Sequence, residues 1–390
     1  MRRLVGHEIT DPLFEPLRVR RLSVANRFVM SPANRNASPG GVPGEDTAQF
    51  YRRRVDGETG LIITGGVGVD HPAALGASYG RPCAVPEMHG AAALAGWRRA
   101  LDVVHEGGGK IVPQLWHMGN MRAAGTGYHP EAVTSSPSGI WSSGNTRTFV
   151  PPADVEQFSA PIPALTDAEI VAIIEGYARS ARNAAELGFD GIAIHGGNGY
   201  LVDSFLWGET NRRTDRWGGS LRERTRFAVE LVRAIRGAVG DELPIFFRFS
   251  QWKHQDLDGK NAVTPAELEA MLGPIADAGV DVFDGGQYVF DQPAFPGSDL
   301  NLAGWAKKLT GRMSMTVGSV GFTTGFYDPD APAAPVATDN LDPLVRRFED
   351  GEFDLVAVCR SLLVDAAWTR KARLGLPFEP YNEAALFAMT

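Results

Sequence analysis

Eight short and almost uninterrupted apolar runs recur along the chain, with amphipathic stretches between them. They span residues 27–32, 60–66, 110–117, 191–196, 245–250, 280–286, 313–320 and 353–360. Runs of this kind are typical of parallel strands, because a sheet that is covered on both faces buries the side chains on both sides. Polar residues or glycines cluster at the C-terminal end of each run. The pattern predicts parallel strands that alternate with helices.

Three capping boxes indicate where helices begin between these runs. They are Thr-Asp-Ala-Glu at 166–169, Ser-Leu-Arg-Glu at 220–223 and Thr-Pro-Ala-Glu at 264–267. In such a box the hydroxyl and the carboxylate satisfy backbone N–H groups that the first helical turn leaves without partners. Eight strand–helix units without a linker predict a chain of the α/β class that forms a single (β/α)₈ TIM barrel over residues 1–390. A doubly wound sheet is the alternative, which the absence of Gly-x-Gly-x-x-Gly after the first run disfavours.

The longest gap between two runs covers about residues 118–165 and is rich in Gly, Ser, Pro and Trp. It follows the third run. We expect an excursion over the top of the barrel, where loops commonly shape a binding site.

Composition excludes several classes of protein. The 390 residues carry 38 Lys and Arg against 46 Asp and Glu, a formal net charge of −8. This balance argues against nucleic-acid or anionic-membrane partners, which attract clustered positive charge. Cys83 and Cys359, the two cysteines, are too few for a disulfide scaffold, a four-cysteine zinc site or a cysteine-ligated iron–sulfur cluster. The first 14 residues lack the apolar region of a secretory signal, and no window approaches the ~20 apolar residues of a membrane span, so we expect a cytoplasmic protein.

Barrels of this kind carry their active sites at the C-terminal ends of the strands, so the residues there are the candidates. The strand ends hold Asn34, Gly66, Gln114, His117, His195, Asn198, Tyr200, Arg248, Gln287, Gly318, Ser319 and Arg360. They contain no cluster of carboxylates, and the chain has no His-Glu-x-x-His and no Gly-x-Ser-x-Gly. We therefore predict no metal site and no glycosidase pair. Neutral donors with two cations suit a planar, polar cofactor that bears a phosphate.

The segment His-Gly-Gly-Asn-Gly-Tyr at 195–200 is the most informative of these. His195 and Asn198 on a strand-end turn can direct two N–H donors at one oxygen, which would polarise a carbonyl group as an oxyanion hole does. Tyr200 adds a hydroxyl that is protonated at neutral pH and can act as a general acid. A core histidine beside a turn asparagine is the alternative interpretation of the same residues.

Several segments together resemble the old yellow enzyme family of flavin-dependent ene reductases. They are HGGNGYLVDSFLWGETNRRTDRWGG at 195–219, NRFVMSP at 26–32, GLIIT at 60–64 and QLWHMG at 114–119. The matching positions run in the family's order from about Asp11 to about Leu376. The resemblance covers nearly the whole chain.

The resemblance implies FMN bound at the mouth of the barrel and NADPH or NADH as hydride donor. It implies that His195 and Asn198 bind a carbonyl or nitro oxygen of an activated alkene, and that Tyr200 protonates its α-carbon. The implied cofactor contacts are Gln114 and Arg248 with the flavin ring system, Pro32, Ala33, Asn34 and Gly66 along the ring, and Gly318, Ser319, Cys359 and Arg360 with the phosphate. Nicotinamide nucleotide and alkene would use the same flavin face, and homo-oligomer formation is left open.

The chain departs from the family pattern at Asn34, where Thr or Cys is usual, and at Cys359, where Gly is usual. Asn34 can still donate a hydrogen bond, so we expect a shifted flavin potential with binding retained. Trp116 and Tyr288 either shape the substrate pocket or pack at the rim of the barrel, and Trp252 has the same two interpretations. Arg248 has no carboxylate beside it in sequence, which favours a contact with the flavin over an ion pair.

The sequence thus predicts an NAD(P)H-dependent flavin oxidoreductase that reduces the C=C bond of α,β-unsaturated carbonyl or nitro compounds. The alternatives on the same barrel are a quinone reductase, a ketone desaturase and a non-catalytic flavin-binding protein.

Overall fold

The computed structural model describes residues 10–77, 79–144, 147, 148, 150–325, 330, 335–386, 388 and 389. The prediction about a secretory signal falls largely on residues 1–9, which lie outside the described residues. None of the helices in the described part of the chain has both the length and the apolar character needed to cross a bilayer.

A closed barrel of parallel strands forms the centre of the structure, in the order β10-β3-β4-β5-β6-β7-β8-β9. Its strands are β3 (Phe28–Met30), β4 (Leu61–Gly68), β5 (Ile111–Trp116), β6 (Ile192–His195), β7 (Ile245–Ser250), β8 (Val282–Gly286), β9 (Met313–Val317) and β10 (Leu355–Val358). Two further strands, β1 (Leu17–Val19) and β2 (Leu22–Val24), pair as an antiparallel hairpin. Each of the eight predicted runs overlaps one barrel strand, so the predicted (β/α)₈ barrel is confirmed.

Helices follow every barrel strand. They are α1 (Glu45–Asp56), α2 (Ala91–Glu106), α3 (Pro152–Phe158), α4 (Asp167–Leu187), α5 (Leu201–Leu206), α6 (Leu221–Arg224), α7 (Arg226–Val239), α8 (Pro265–Asp277), α9 (Leu302–Thr310), α10 (Leu341–Glu349), α11 (Arg360–Val364) and α12 (Trp368–Leu374). The three predicted capping boxes are confirmed at the starts of α4, α6 and α8, where the hydroxyl and the carboxylate each accept a backbone hydrogen bond.

The interior of the barrel is apolar and is closed at one end by the β1–β2 hairpin. Val29, Phe246 and Met315 from three strands pack with Leu22 of the hairpin in one buried cluster. Arg20 in the hairpin turn pairs with Asp281 at the start of β8 (Nε–Oδ1 2.6 Å), so the hairpin covers the end at which the strands begin. The opposite end, where the strands finish, is left to the connecting loops.

The predicted excursion lies between β5 and α4 and includes the short helix α3. Arg122 is fully buried within it and donates hydrogen bonds to the backbone carbonyls of Leu75, Thr126, His129 and Ala132. Because one guanidinium satisfies four loop carbonyls, the excursion keeps a fixed path without regular secondary structure. It reaches the carboxyl ends of the strands, where Pro151 lines a cavity.

Candidate active site

A cavity of about 560 Å³ lies at the carboxyl ends of the barrel strands. The structure brings to its wall all the residues to which the sequence analysis assigned a catalytic, cofactor or substrate contact. They are Pro32, Ala33, Asn34, Gly66, Gln114, Trp116, His195, Asn198, Tyr200, Arg248, Tyr288, Gly318, Ser319, Cys359 and Arg360. Parallel strands place these positions on one rim, although they are spread over more than 300 residues of sequence.

The 195–200 turn connects β6 to α5 and carries two buried, unpartnered nitrogen atoms in residues that line the cavity. His195 is the last residue of β6, and Asn198 follows with φ +62°, the left-handed conformation that asparagine tolerates better than most residues. Neither Nδ1 of His195 nor Nδ2 of Asn198 has a hydrogen-bond partner, although both atoms are buried. Buried polar atoms of folded proteins are almost always hydrogen bonded, so this pair points to a ligand that supplies an acceptor.

His195 is held as a neutral imidazole. Burial, and after it the positive charge of Arg248, lowers the pKa of His195 well below its usual range. A neutral ring can donate a hydrogen bond to an oxygen without bringing a formal charge into the cavity.

Tyr200 packs in a group of three rings on this wall. Its ring lies edge-on to Trp116 with centroids 4.9 Å apart, and 4.9 Å from the ring of His195. Trp116 also stacks on His195 at 6.2 Å. The contacts fix the position of the phenol, which is 6% exposed.

Gly66 and Gln114 lie on neighbouring strands below these rings. A Cβ atom at Gly66 would come within 2.4 Å of the Trp116 ring, so only glycine allows the indole to lie across the end of β4. The backbone N–H of Gln114 donates to Thr64 Oγ1, while its side-chain Nε2 is buried without a partner. Gln114 therefore adds a third unpartnered nitrogen, after those of His195 and Asn198.

Arg248 on β7 corrects one part of the sequence argument. Its Nη1 lies 3.0 Å from Oδ2 of Asp284, which is 2% exposed, and 3.3 Å from the hydroxyl of Ser31. Arg248 and Asp284 are register partners on adjacent strands, so the carboxylate is a neighbour in the barrel although not in the sequence. The sequence favoured a flavin contact of Arg248 over an ion pair, but the structure contains the Arg248–Asp284 ion pair. Arg248 lines the cavity as well.

The loops after β9 and β10 form the far end of the cavity. Gly318 has φ +128°, and the hydroxyl of the adjacent Ser319 is buried without a partner. The cavity wall also contains four arginines, while none of its described residues is Asp or Glu; the arginines are Arg35, Arg81, Arg248 and Arg360. Such a wall favours an anionic group such as a phosphate. Burial raises the pKa of the Cys359 thiol, which keeps it in the weakly reactive neutral form.

The segment after β7 supplies a wall that the sequence treated as ambiguous. Trp252 lines the cavity and stacks on Tyr288 with centroids 5.0 Å apart. His254 also lines it, and its Nδ1 lies 2.7 Å from the hydroxyl of Tyr79, a residue not considered in the sequence analysis. Both Trp252 and Tyr288 thus lie at the pocket.

Lys253 lies between Trp252 and His254 in the sequence. Its side chain points away from the cavity and forms a buried ion pair with Asp203 of α5. Sequence reasoning did not find this pair, because fifty positions separate its members.

Other predicted residues lie behind the wall. His117 bonds to His71 (Nε2–Nδ1 3.0 Å) and is absent from the cavity lining. Asn120 donates from Nδ2 to the carbonyls of Ile140 and Trp141, and so holds part of the excursion in place. Asn211 donates to the carbonyls of Phe205 and Trp217, which gives it a structural role in the loop after α5.

Comparison with known sequences agrees with the family resemblance noted in the sequence. Residues 12–379 match the NADH:flavin oxidoreductase / NADH oxidase family. The 12-oxophytodienoate reductase 7 of Oryza sativa subsp. japonica is 38% identical over 232 residues, which are 59% of this chain and 56% of the rice protein. The chain therefore aligns with about half the length of that relative. Chanoclavine-I aldehyde reductase fgaOx3 of Penicillium roqueforti (strain FM164) is 30% identical over 383 residues, 96% of this chain and 92% of the fungal protein.

Among solved structures, morphinone reductase superimposes with a TM-score of 0.76 at 25% identity. The superposition covers 96% of this chain and 92% of that protein.

Because His254 is buried, we expect the free energy of unfolding to decrease in acid. Burial, and after it the charge of Arg248, lowers the pKa of His254 from 6.5 to about 3, so between these values the unfolded chain binds one more proton than the folded one. The free energy of unfolding must then fall on acidification below pH 6.5, by about 1.4 kcal/mol per pH unit for this residue. We expect His254→Phe to reduce that slope by about this amount in urea denaturation at pH 4.5–7.5. His129→Phe, at an exposed position outside the cavity, is the matched control, and equal slopes for wild type and His254→Phe would contradict the assignment.

Proposed function

The chain belongs to the NADH:flavin oxidoreductase / NADH oxidase family, and from this premise we propose that it is an FMN-dependent ene reductase that takes its reducing equivalents from NAD(P)H. Its substrates are alkenes activated by a carbonyl or nitro group. The observation that carries the proposal is the pair of buried, unpartnered donors of His195 and Asn198 beside the hydroxyl of Tyr200. The cytoplasm, which supplies NAD(P)H, is the compartment we propose.

The residues of the cavity fit FMN. The orphan Nε2 of Gln114 suits the pyrimidine edge of a flavin, and the orphan hydroxyl of Ser319 suits its phosphate. A Cβ atom at Gly318 would meet the backbone oxygen of Gln287 at 2.7 Å, so glycine allows the loops after β8 and β9 to approach each other closely at this end of the cavity. Arg248 would lie near the flavin ring and Arg360 near the phosphate, while Pro32, Ala33, Asn34 and Gly66 would line the ring and Cys359 the phosphate loop.

Asn34 keeps the donor capacity that this site requires. Its Oδ1 accepts a hydrogen bond from the backbone N–H of Asn36 at 2.9 Å, which leaves the amide NH₂ as the group that can donate into the cavity.

FMN bound in this cavity would supply the hydride chemistry, from NAD(P)H to the β-carbon of the alkene. His195 and Asn198 hold the activating oxygen through Nδ1 and Nδ2, and so stabilise the negative charge that develops on it. The lowered pKa of His195 keeps its ring neutral, which means that the two donors act by hydrogen bonding. Tyr200 donates the phenolic proton to the α-carbon.

Trp116 and Tyr288 are proposed to contact the substrate. Trp116 packs against His195 and Tyr200, and Tyr288 stacks on Trp252. All of these rings line the cavity, and aromatic faces in a cavity wall suit a conjugated, planar alkene.

An anaerobic titration followed by visible absorption tests the proposal. The flavin band of the purified holoenzyme should bleach with NAD(P)H and return when 2-cyclohexen-1-one is added. A flavin that is reduced but is not reoxidised by any activated alkene would favour quinone reduction or desaturation. Failure to retain FMN after reconstitution would contradict the contacts assigned to the flavin ring and to its phosphate. The ring contacts are those of Gln114 and Arg248, and the phosphate contacts are those of Gly318, Ser319, Cys359 and Arg360.

Replacement of either donor should slow alkene reduction. We expect His195→Ala and Asn198→Ala each to lower the rate at which 2-cyclohexen-1-one reoxidises the reduced enzyme by about 10²–10³-fold, the usual effect of losing one oxyanion-hole donor. Stopped-flow absorption measures this rate, with FMN content determined for each variant. A wild-type rate in the double variant would exclude the role.

Tyr200→Phe should separate the two half-reactions. The substitution keeps the ring contacts with Trp116 and His195 and removes only the hydroxyl. Alkene reduction should fall by about 10²–10⁴-fold, while reduction of the flavin by NAD(P)H stays near the wild-type rate, because only alkene reduction consumes the phenolic proton. Tyr128→Phe removes a hydroxyl that bonds to the carbonyls of Ser38 and Val85, and is the matched control. An equal loss in both half-reactions would show that Tyr200 acts by supporting the structure.

A further inference from the structure

Lys253 and Asp203 form an ion pair that is completely removed from solvent. Both side chains are 0% exposed, and Nζ lies 3.0 Å from Oδ2 and 3.1 Å from Oδ1 of the carboxylate. Nζ also donates to the carbonyl of Gln251 at 3.1 Å, and Nδ2 of Asn261 donates to Asp203 Oδ1 at 2.6 Å. The pair therefore has the additional hydrogen bonds that a buried ion pair needs.

Stability alone is a weak reason for such a pair. Removing two charges from water costs several kcal/mol per ion, so buried pairs often contribute no more than apolar residues of similar volume. Burial lowers the pKa of Lys253, while Asp203 opposes this and favours the charged form. What a buried pair does provide is one defined geometry, since any displacement leaves a charge unpaired.

The geometry fixed here is that of the 195–200 turn. Oδ2 of Asp203 accepts the backbone N–H of Gly199 at 2.7 Å. The backbone N–H of Asn198 donates to Ser250 Oγ at 2.7 Å, and its carbonyl accepts from the backbone N–H of His254 at 3.2 Å. The carbonyl of Gly199 accepts from Nε2 of Gln255 at 2.9 Å.

All four backbone polar groups of Asn198 and Gly199 are thus held either by residues 250–255 or by Asp203, the partner of Lys253. Such support matters at Asn198, because its backbone lies in the left-handed region, which residues with a side chain adopt less readily than glycine does.

We propose that Lys253 is a positioning residue: its pairing with Asp203 locks the 195–200 turn so that the amide of Asn198 and the hydroxyl of Tyr200 are aimed at the substrate. The inference rests on the proposed function, because the aim of these groups matters only if they act on an alkene.

Lys253 also links the turn to the segment after β7. Its backbone bridges that of Asn198, and its sequence neighbours Trp252 and His254 both line the cavity. One buried residue therefore connects the backbone of Asn198 to a segment that carries two rings of the cavity lining.

The test compares two oxidants of the reduced holoenzyme. Lys253→Met should slow reoxidation by 2-cyclohexen-1-one by about 10–100-fold, the usual cost of a misplacement of about 1 Å, and leave reoxidation by oxygen within about threefold, because oxygen needs neither Asn198 nor Tyr200. Arg236→Met is the matched control, since it removes a cation paired with Asp281 (2.7 Å) at the other end of the barrel. Its two rates should keep the wild-type ratio.

Hydrogen exchange gives a second measurement that does not require turnover. Amides in the peptide 196–207 should exchange at least tenfold faster in Lys253→Met than in wild type, and not in Arg236→Met. If Lys253→Met does not fold, Gln255→Met replaces it, because this variant removes the bond to the Gly199 carbonyl without leaving a buried charge.

The inference is overturned if the ratio of the two rates and the exchange of 196–207 stay at wild-type values, or if both rates fall in parallel. A wild-type enzyme that 2-cyclohexen-1-one does not reoxidise would instead contradict the proposed function, while the exchange experiment would still decide the role of Lys253 in the turn.

Discussion

Closure of the parallel barrel is the constraint on which the candidate site depends. Because all eight strands run in one direction, their carboxyl ends meet at a single rim. The register of neighbouring strands then sets which side chains meet, and it aligns His195 on β6 with Arg248 on β7 and Asp284 on β8. A shift by one residue would turn each of these side chains to the other face of its strand. The backbone hydrogen bonds of the barrel thus position the side chains of the candidate site.

Positively and negatively charged side chains occupy different places around the cavity. The described wall contains arginines and neutral donors, and two carboxylates lie behind it, Asp284 against Arg248 and Asp203 against Lys253. Each carboxylate compensates a cation, and Asp203 also fixes the backbone next to a candidate catalytic group. The wall can therefore receive an anionic phosphate and a developing negative charge on oxygen without a facing carboxylate to repel either.

Sequence patterns predicted the parts of the structure that local physics determines. Continuous apolar runs identified the barrel strands, and the three capping boxes identified helix starts, because each depends on residues within a few positions. The Arg248–Asp284 pair was missed because it depends on register between strands, and the Lys253–Asp203 pair because it joins the loop after β7 to helix α5, fifty positions away in sequence. The residues of the site were predicted from strand ends and from the family resemblance, whereas their roles remain predictions for experiment.

The position of Tyr200, the candidate proton donor, depends on the lack of a side chain at Gly66 of β4. Gly66 leaves room for the Trp116 ring, which lies across the end of β4 and packs against His195 and Tyr200. Any larger residue at 66 would overlap the indole and displace it from its contacts with these two rings. The phenol is thus held on one side by Trp116 and His195, and from below by the turn that Asp203 and Lys253 fix. Two independent constraints, one steric and one electrostatic, therefore act on the same hydroxyl.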